Sequence, residues 1–276
     1  MLSRKPDLAV EKSPLIWSRI PEFSLTYNGY SVAIPYVEYY LNDVIFAVRK
    51  GLADQHPQLS AELDIFLRQE AIHSQLHKRF NKHMFDNGHA ALGPLVERLN
   101  AQLKEQRNAR SLAFNVAYCA GFESIATYAA KYLYERCSEL FEGAAPGGAN
   151  LLLWHVAEEF EHRSVCHDAF MAISGSYRVR IWGLLRAFFH VGGTFMAAER
   201  IVLEEYHKGL SAREKRQSLR RSRKLFWRQL RYVAPRMLMI LLPGYDPARL
   251  QMPANIARAL QFFDSPATID ERVPLS

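Results

Sequence analysis

The sequence predicts an all-α protein, one helical bundle with further helices added at its C-terminal end. Three observations carry this expectation. Glycine and proline cluster at a few points and leave long runs between them, and apolar residues recur along those runs at helical spacing. No alternating run calls for a β-strand.

Residues 1–34 show no clear period and are read as an N-terminal extension. A first helix is expected from Pro35, in its first turn, to about Lys50, with Val37, Leu41, Val44, Ile45 and Val48 on its apolar stripe and Gly51 as a stop. A second runs from Pro57 to about Asp86 on Leu59, Leu63, Phe66, Leu67, Ala71 and Leu76, and Asn87-Gly88 ends it. A shorter helix fills Gly93–Leu103, and a long one covers about Asn108 to Phe141. The next is expected to be continuous from about Asn150 to Ile173, stopped by Ser174-Gly175-Ser176. Two more cover about Tyr177–Lys208 and Ser211–Leu242, the latter kinked or restarted at Pro235. After the Pro243–Pro247 turn a short helix is expected near Pro253–Phe263. Residues 35–265 are thus the bundle with its additions, and 266–276 a tail.

The composition fits a folded soluble chain, with 49% apolar and 23% charged residues in 276. That excludes disordered, collagen-like and disulfide-scaffold classes. Three cysteines without a CxxC pair, and no signal-peptide pattern at the start, point to the cytoplasm. The longest apolar uncharged stretch, Ala187–Ala198, has twelve residues, too few to span a bilayer as one helix. The net charge of +7 is uneven: 178–236 carries fifteen Lys/Arg against four Glu, leaving −4 for the rest. Within it, Arg220, Arg221 and Arg228 are interleaved with Leu219, Leu225, Phe226, Trp227, Leu230 and Tyr232, as in an interfacial amphipathic helix. The expected partner is an anionic membrane surface or an acidic carrier protein, with peripheral membrane association. No nucleic-acid motif accompanies the charge. A solvated helix face is the plainer alternative.

The chemistry lies on two helices. Glu70, His73 and His77 fall within about a 60° arc of one. His155, Glu159 and His162 stand at i, i+4 and i+7 on another. Each helix therefore carries a Glu-x-x-His pair, Glu70/His73 and Glu159/His162. Each pair is preceded by a carboxylate isolated on an apolar face, Glu38 by 32 residues and Glu123 by 36. Such carboxylates are paired or bind metal. The order Glu, Glu-x-x-His, Glu, Glu-x-x-His is that of ferritin-like di-metal carboxylate bundles. Two divalent ions about 3.5–4 Å apart need bridging carboxylates to offset their repulsion. The expected ligands are Glu38, Glu70, His73, Glu123, Glu159 and His162. His77, His155 and Glu158 are either additional ligands or hydrogen-bonded supports behind them. Glu161 points away and is expected in a salt bridge.

These residues resemble the bacterial family of predicted metal-dependent hydrolases, grouped with the ferritin-like superfamily. The resemblance rests on Pro35-x-x-Glu38, Gln69-Glu70-Ala-Ile-His73-Ser-Gln-Leu-His77 and Trp154-His155-Val-Ala-Glu158-Glu159-Phe-Glu161-His162. It extends to Pro243-Gly244-Tyr245-Asp246-Pro247, where Tyr and Asp replace a Phe and a His of the family pattern. It covers roughly residues 25–265 and implies a metal site in a ferritin-like four-helix bundle with additional C-terminal helices.

The expected function is an O2-activating non-haem di-iron enzyme that oxidises a small, apolar or carrier-bound substrate. Its cofactor would be two iron ions, with manganese or zinc as substitutes. Two-metal hydrolysis is the alternative, and non-catalytic metal binding a third. A homodimer is compatible with all three.

Overall fold

The computed structural model describes residues 1–264, 268–269 and 271–275, and ten α-helices make up most of them. They are α1 (Pro21–Ser31), α2 (Ile34–Leu52), α3 (Pro57–Asp86), α4 (Gly93–Ala109), α5 (Leu112–Arg136), α6 (Pro146–Glu161), α7 (Val165–Ile173), α8 (Tyr177–His207), α9 (Ala212–Ile240) and α10 (Ala254–Phe263). Five of these, α1, α2, α3, α4 and α6, begin with proline at the first or second position, where its missing N–H costs nothing. Ser111 caps α5, and Ser211 with Glu214 forms a capping box on α9. Gly175, at φ 62°, closes α7 by donating to the Phe170 carbonyl at 3.1 Å.

Helices α2, α3, α6 and α5 contact one another in a closed circuit, and α8 lies along α5 and α1. The α5–α8 crossing is close because glycine stands on both sides. A Cβ on Gly183 would meet the Ala117 carbonyl carbon at 2.5 Å, and one on Gly121 would meet the Leu184 Cα at 2.6 Å. Gly183→Ala is therefore expected to destabilise by about 1–3 kcal/mol, read as a lower melting temperature. Gly192→Ala on the same helix, whose Cβ would meet nothing within 4 Å, should be neutral or slightly stabilising.

Three expectations are corrected. Helix α1 forms where no period was read, because its buried side chains include polar ones held by specific partners. Glu22 pairs with Arg221, Ser24 accepts from the Ser18 amide, and Asn28 accepts from the Trp17 indole and donates to the Leu15 carbonyl. The helix expected over 150–173 is broken at 162–164 into α6 and α7. Asp7–Leu8 forms a two-residue parallel strand pair with Thr268–Ile269, too short for any pattern to reveal. Helix α9 runs through Pro235 to Ile240. The boundary expected at 265/266 lies outside the described residues.

All three cysteines are buried and unpaired. No helix among the described residues is long and apolar enough to cross a membrane.

Candidate metal centre

The circuit of α2, α3, α5 and α6 surrounds a cluster of charged side chains. Glu38 comes from α2, Glu70 and His73 from α3, Glu123 from α5, His155 and Glu159 from α6, and His162 from the turn after α6. All are buried. Two groups of potential metal-binding atoms converge: Glu38, His73, His155 and Glu159 form one, and Glu70, His73, Glu159 and His162 the other, each within 4.8 Å. His73 and Glu159 belong to both.

The contacts inside are close but are not those of a hydrogen-bond network. His73 Nδ1 lies 3.5 Å from Glu70 Oε1 and 3.8 Å from Glu38 Oε1. His162 Nε2 lies 3.2 Å from Glu70 Oε1, and its Nδ1 lies 3.0 Å from Glu123 Oε2. Yet both oxygens of Glu38, Glu70 and Glu123, Glu159 Oε2, His73 Nδ1 and both His162 nitrogens have no hydrogen-bond partner. Buried polar atoms are normally satisfied, and orphans gathered in one place need a common partner. A divalent cation would supply it, and two such cations would balance the four carboxylates Glu38, Glu70, Glu123 and Glu159. The donor set fits the group.

Electrostatics divides the carboxylates. Burial and the neighbouring Glu70, Glu159 and Glu123 push the Glu38 pKa well above the usual carboxylate range. Burial and Glu159 do the same to Glu123. For Glu70, burial is outweighed by His162 and His73, which pull its pKa down, and at Glu159 the contact with His155 together with the charge of His162 outweighs burial. His73, despite its burial, is raised to about 9 by Glu158 and Glu70. His162 is raised well above its usual value by Glu123 and Glu70, against burial.

The remaining candidates stand behind these. Glu158 Oε2 accepts from His73 Nε2 at 2.9 Å, so Nδ1 is the nitrogen that faces the cluster. Arg4 Nη1 in turn donates to Glu158 at 3.2 Å and to Glu161 at 2.9 Å. His155 faces inward itself, its Nε2 2.7 Å from Glu159 Oε1. Its Nδ1 lies 2.6 Å from His77 Nε2, and His77 Nδ1 lies 2.7 Å from Ser31 Oγ.

That chain of contacts sets the tautomers. Ser31 Oγ donates to Asn81 Oδ1, while Asn81 Nδ2 donates to the Ser31 carbonyl and fixes the amide. Ser31 therefore accepts from His77 Nδ1–H, and His77 Nε2 accepts from His155 Nδ1–H. Both imidazoles are neutral. Burial and the neighbouring His155 and His73 lower the His77 pKa, and burial and His73 lower that of His155. The lone pair of His155 Nε2 then points at the Glu159 carboxylate, an arrangement a cation between them makes favourable. His77→Phe is expected to weaken metal affinity about 10–100-fold, measured by competition with a chromophoric chelator.

The sequence reading missed Arg4, Ser31 and Asn81. Arg4 and Ser31 lie in the segment without a period. Asn81 carried one available signal, since it stands four residues from His77 on the same face of α3. Apolar rings wall the centre: Trp154 packs edge-on against His73 at 4.7 Å and Phe66 against His162 at 4.9 Å.

Arg220, Arg221 and Arg228 of the basic segment lie elsewhere. Arg221 makes a two-pronged pair with buried Glu22, at 2.8 Å on both oxygens, and Arg228 pairs with Glu139. Arg220 is exposed. Two of the three charges expected to meet an anionic partner are thus engaged within the chain.

Residues 3–251 match the model of a family described as "Predicted metal-dependent hydrolase". No curated protein and no solved structure matches the chain. The family match overturns the expectation of an O2-activating oxidoreductase in favour of its alternative, hydrolysis. The ligand types did not require a redox metal, because imidazole and carboxylate donors suit zinc and manganese as well as iron.

Proposed function

The chain belongs to the predicted metal-dependent hydrolase family, and from that membership and its buried Glu/His cluster we propose that it is a two-metal hydrolase. The observation that carries the reading is the set of buried Glu and His atoms, close together and without hydrogen bonds. In this reading Glu38, Glu70, His73, His155, Glu159 and His162 would hold two divalent ions. Glu123, whose Oε2 lies 3.0 Å from His162 Nδ1 and neither of whose oxygens is hydrogen-bonded, closes the side beyond His162. The closed circuit α2–α3–α6–α5, with its ligands in the order Glu38, Glu70/His73, Glu123, Glu159/His162, favours a ferritin-like bundle.

Metal bound there would lower the pKa of a water and polarise the bond to be cleaved. The protein's own groups do the rest. Glu158, held by Arg4, keeps His73 Nδ1 facing inward. The Ser31–His77 contact keeps the proton of His155 on Nδ1, which leaves Nε2 free to donate its lone pair. Trp154 and Phe66 exclude bulk water from the ligands.

The test is metal analysis of the purified protein, followed by a panel of chromogenic carboxylic esters, phosphoesters and anilides in water enriched in oxygen-18. The expected result is cleavage of one bond class without O2, loss with a chelator, recovery with manganese or zinc, and label from water in the product. Product oxygen derived from O2, or metal-loaded protein that cleaves no bond class, would overturn the reading.

A further inference from the structure

We propose that the outward face of α9 docks on an anionic lipid bilayer. Ten basic residues and one acidic residue lie between Ala212 and Ile240. Arg221, Arg228 and Arg236 are engaged: the first two with Glu22 and Glu139, the third over the Tyr232 ring at 3.5 Å. The other seven, Arg213, Lys215, Arg216, Arg220, Arg223, Lys224 and Arg231, have no carboxylate within ion-pair distance among the described residues. The single acid, Glu214, is occupied in the helix cap.

Their angular placement makes a surface of them. At about 100° per residue, Arg213, Arg216, Arg220, Arg223, Lys224 and Arg231 fall within roughly a 100° arc. Trp227 stands near the middle of that arc, and all seven side chains are exposed. The opposite side of the helix carries the buried Ser218, Tyr232 and Ile240. An indole set among unpaired cations on a solvent face has no folding role to explain it. It matches the headgroup zone of an anionic bilayer, where arginines meet phosphates and a tryptophan ring settles at the interface.

Apolar exposure decides between a bilayer and a nucleic acid, which would meet the same charge. Phe226 adjoins Trp227 and is 43% exposed, and the end of the helix and the residues after it present Leu238, Met239 and Leu242 at 65, 50 and 57%. A phosphodiester backbone makes no use of these aliphatic side chains, whereas a bilayer buries them. The helix does not cross the membrane; it lies on it. The proposal is independent of the hydrolase reading.

The test is sedimentation with phosphatidylcholine vesicles, with and without phosphatidylserine, using the full chain. Wild type is expected to bind only the anionic vesicles, and less tightly as salt rises. Arg220→Glu, Arg223→Glu and Arg231→Glu combined should weaken binding at least about a hundredfold, taking roughly fivefold per cation near the surface. The three are exposed and unpaired, so unchanged circular dichroism will show that the variant folds. Quenching of tryptophan fluorescence by brominated lipid should occur in wild type and fall in Trp227→Phe. No binding to anionic vesicles, binding untouched by the triple reversal, or tighter binding to a short DNA duplex than to vesicles would each overturn the proposal.

Discussion

Alanine at Glu159 is expected to strip the protein of metal and lower hydrolysis by about a thousandfold or more. Glu159 belongs to both groups of converging atoms, so its loss opens both positions at once. It also leaves the inward nitrogen of His155, now 2.7 Å from Glu159 Oε1, without its carboxylate. The same substitution should not unfold the chain. In the metal-free chain Glu70 repels Glu159 while His155 and His162 attract it, so the two effects of removing it oppose each other. The metal-free variant should therefore melt within a few degrees of the metal-free wild type. Metal analysis and thermal melts of both forms check this together. A variant that keeps its metal shows that Glu159 is not a ligand, and one that melts well below metal-free wild type shows a structural role instead.

What the sequence made legible follows from the kind of signal each part carried. Helices α2 and α3 bury apolar stripes, and their boundaries were readable to within a few residues from proline, glycine and period. The cluster was readable for a different reason: Glu38 and Glu123 are carboxylates on apolar faces, where ionised groups do not sit without a partner. Helix α1 was invisible because it buries Glu22, Ser24, Thr26, Asn28 and Ser31 beside Phe23 and Leu25, which erases the contrast that periodicity detects. Arg4 and Ser31 were unreadable because their roles depend on residues far along the chain, Glu158 and His77. The pairing of Arg221 was unreadable for the same reason, since nothing local announces Glu22.

The break after α6 was also unreadable, and it bears on the site. His162 ends the helix at φ −99°, ψ 21°, with its amide still bonded to the Glu158 carbonyl at 3.1 Å. Through Glu161 the helical phase is intact, so the spacing of His155 and Glu159 was read correctly although the helix stops there. The chain then turns through Arg163, whose Nε donates to the Leu250 carbonyl at 3.0 Å, before α7 resumes. The turn seats the His162 ring between Glu70 and Glu123, against the edge of Phe66.

Removing metal should make stability depend on pH in a way the loaded protein does not share. Glu38 and Glu123 have pKa values above the usual 4.5, and His73, at about 9, and His162 lie above the usual 6.5. Folding therefore takes up protons at these four groups. Their contribution is complete below the unfolded values and is lost as pH rises through the folded ones. The lowered groups act elsewhere. His77 and His155 contribute stability that grows with pH and is complete above about 6.5, while Glu70 and Glu159 matter only as pH falls below 4.5. Between pH 6.5 and 9 the first set acts alone, and the metal-free protein should lose about 1.4 kcal/mol per pH unit for each proton by which the two states differ. That corresponds to a fall of several degrees in melting temperature. With metal bound the ligands are already deprotonated in the folded state, as they are in the unfolded chain over most of this range, so the loaded protein should show a nearly flat profile. Thermal melts across that range, with and without saturating manganese or zinc, give both curves. Parallel slopes would mean that the cluster does not bind the metal, and convergence of the two curves at low pH would mean that protons and metal compete for the same side chains.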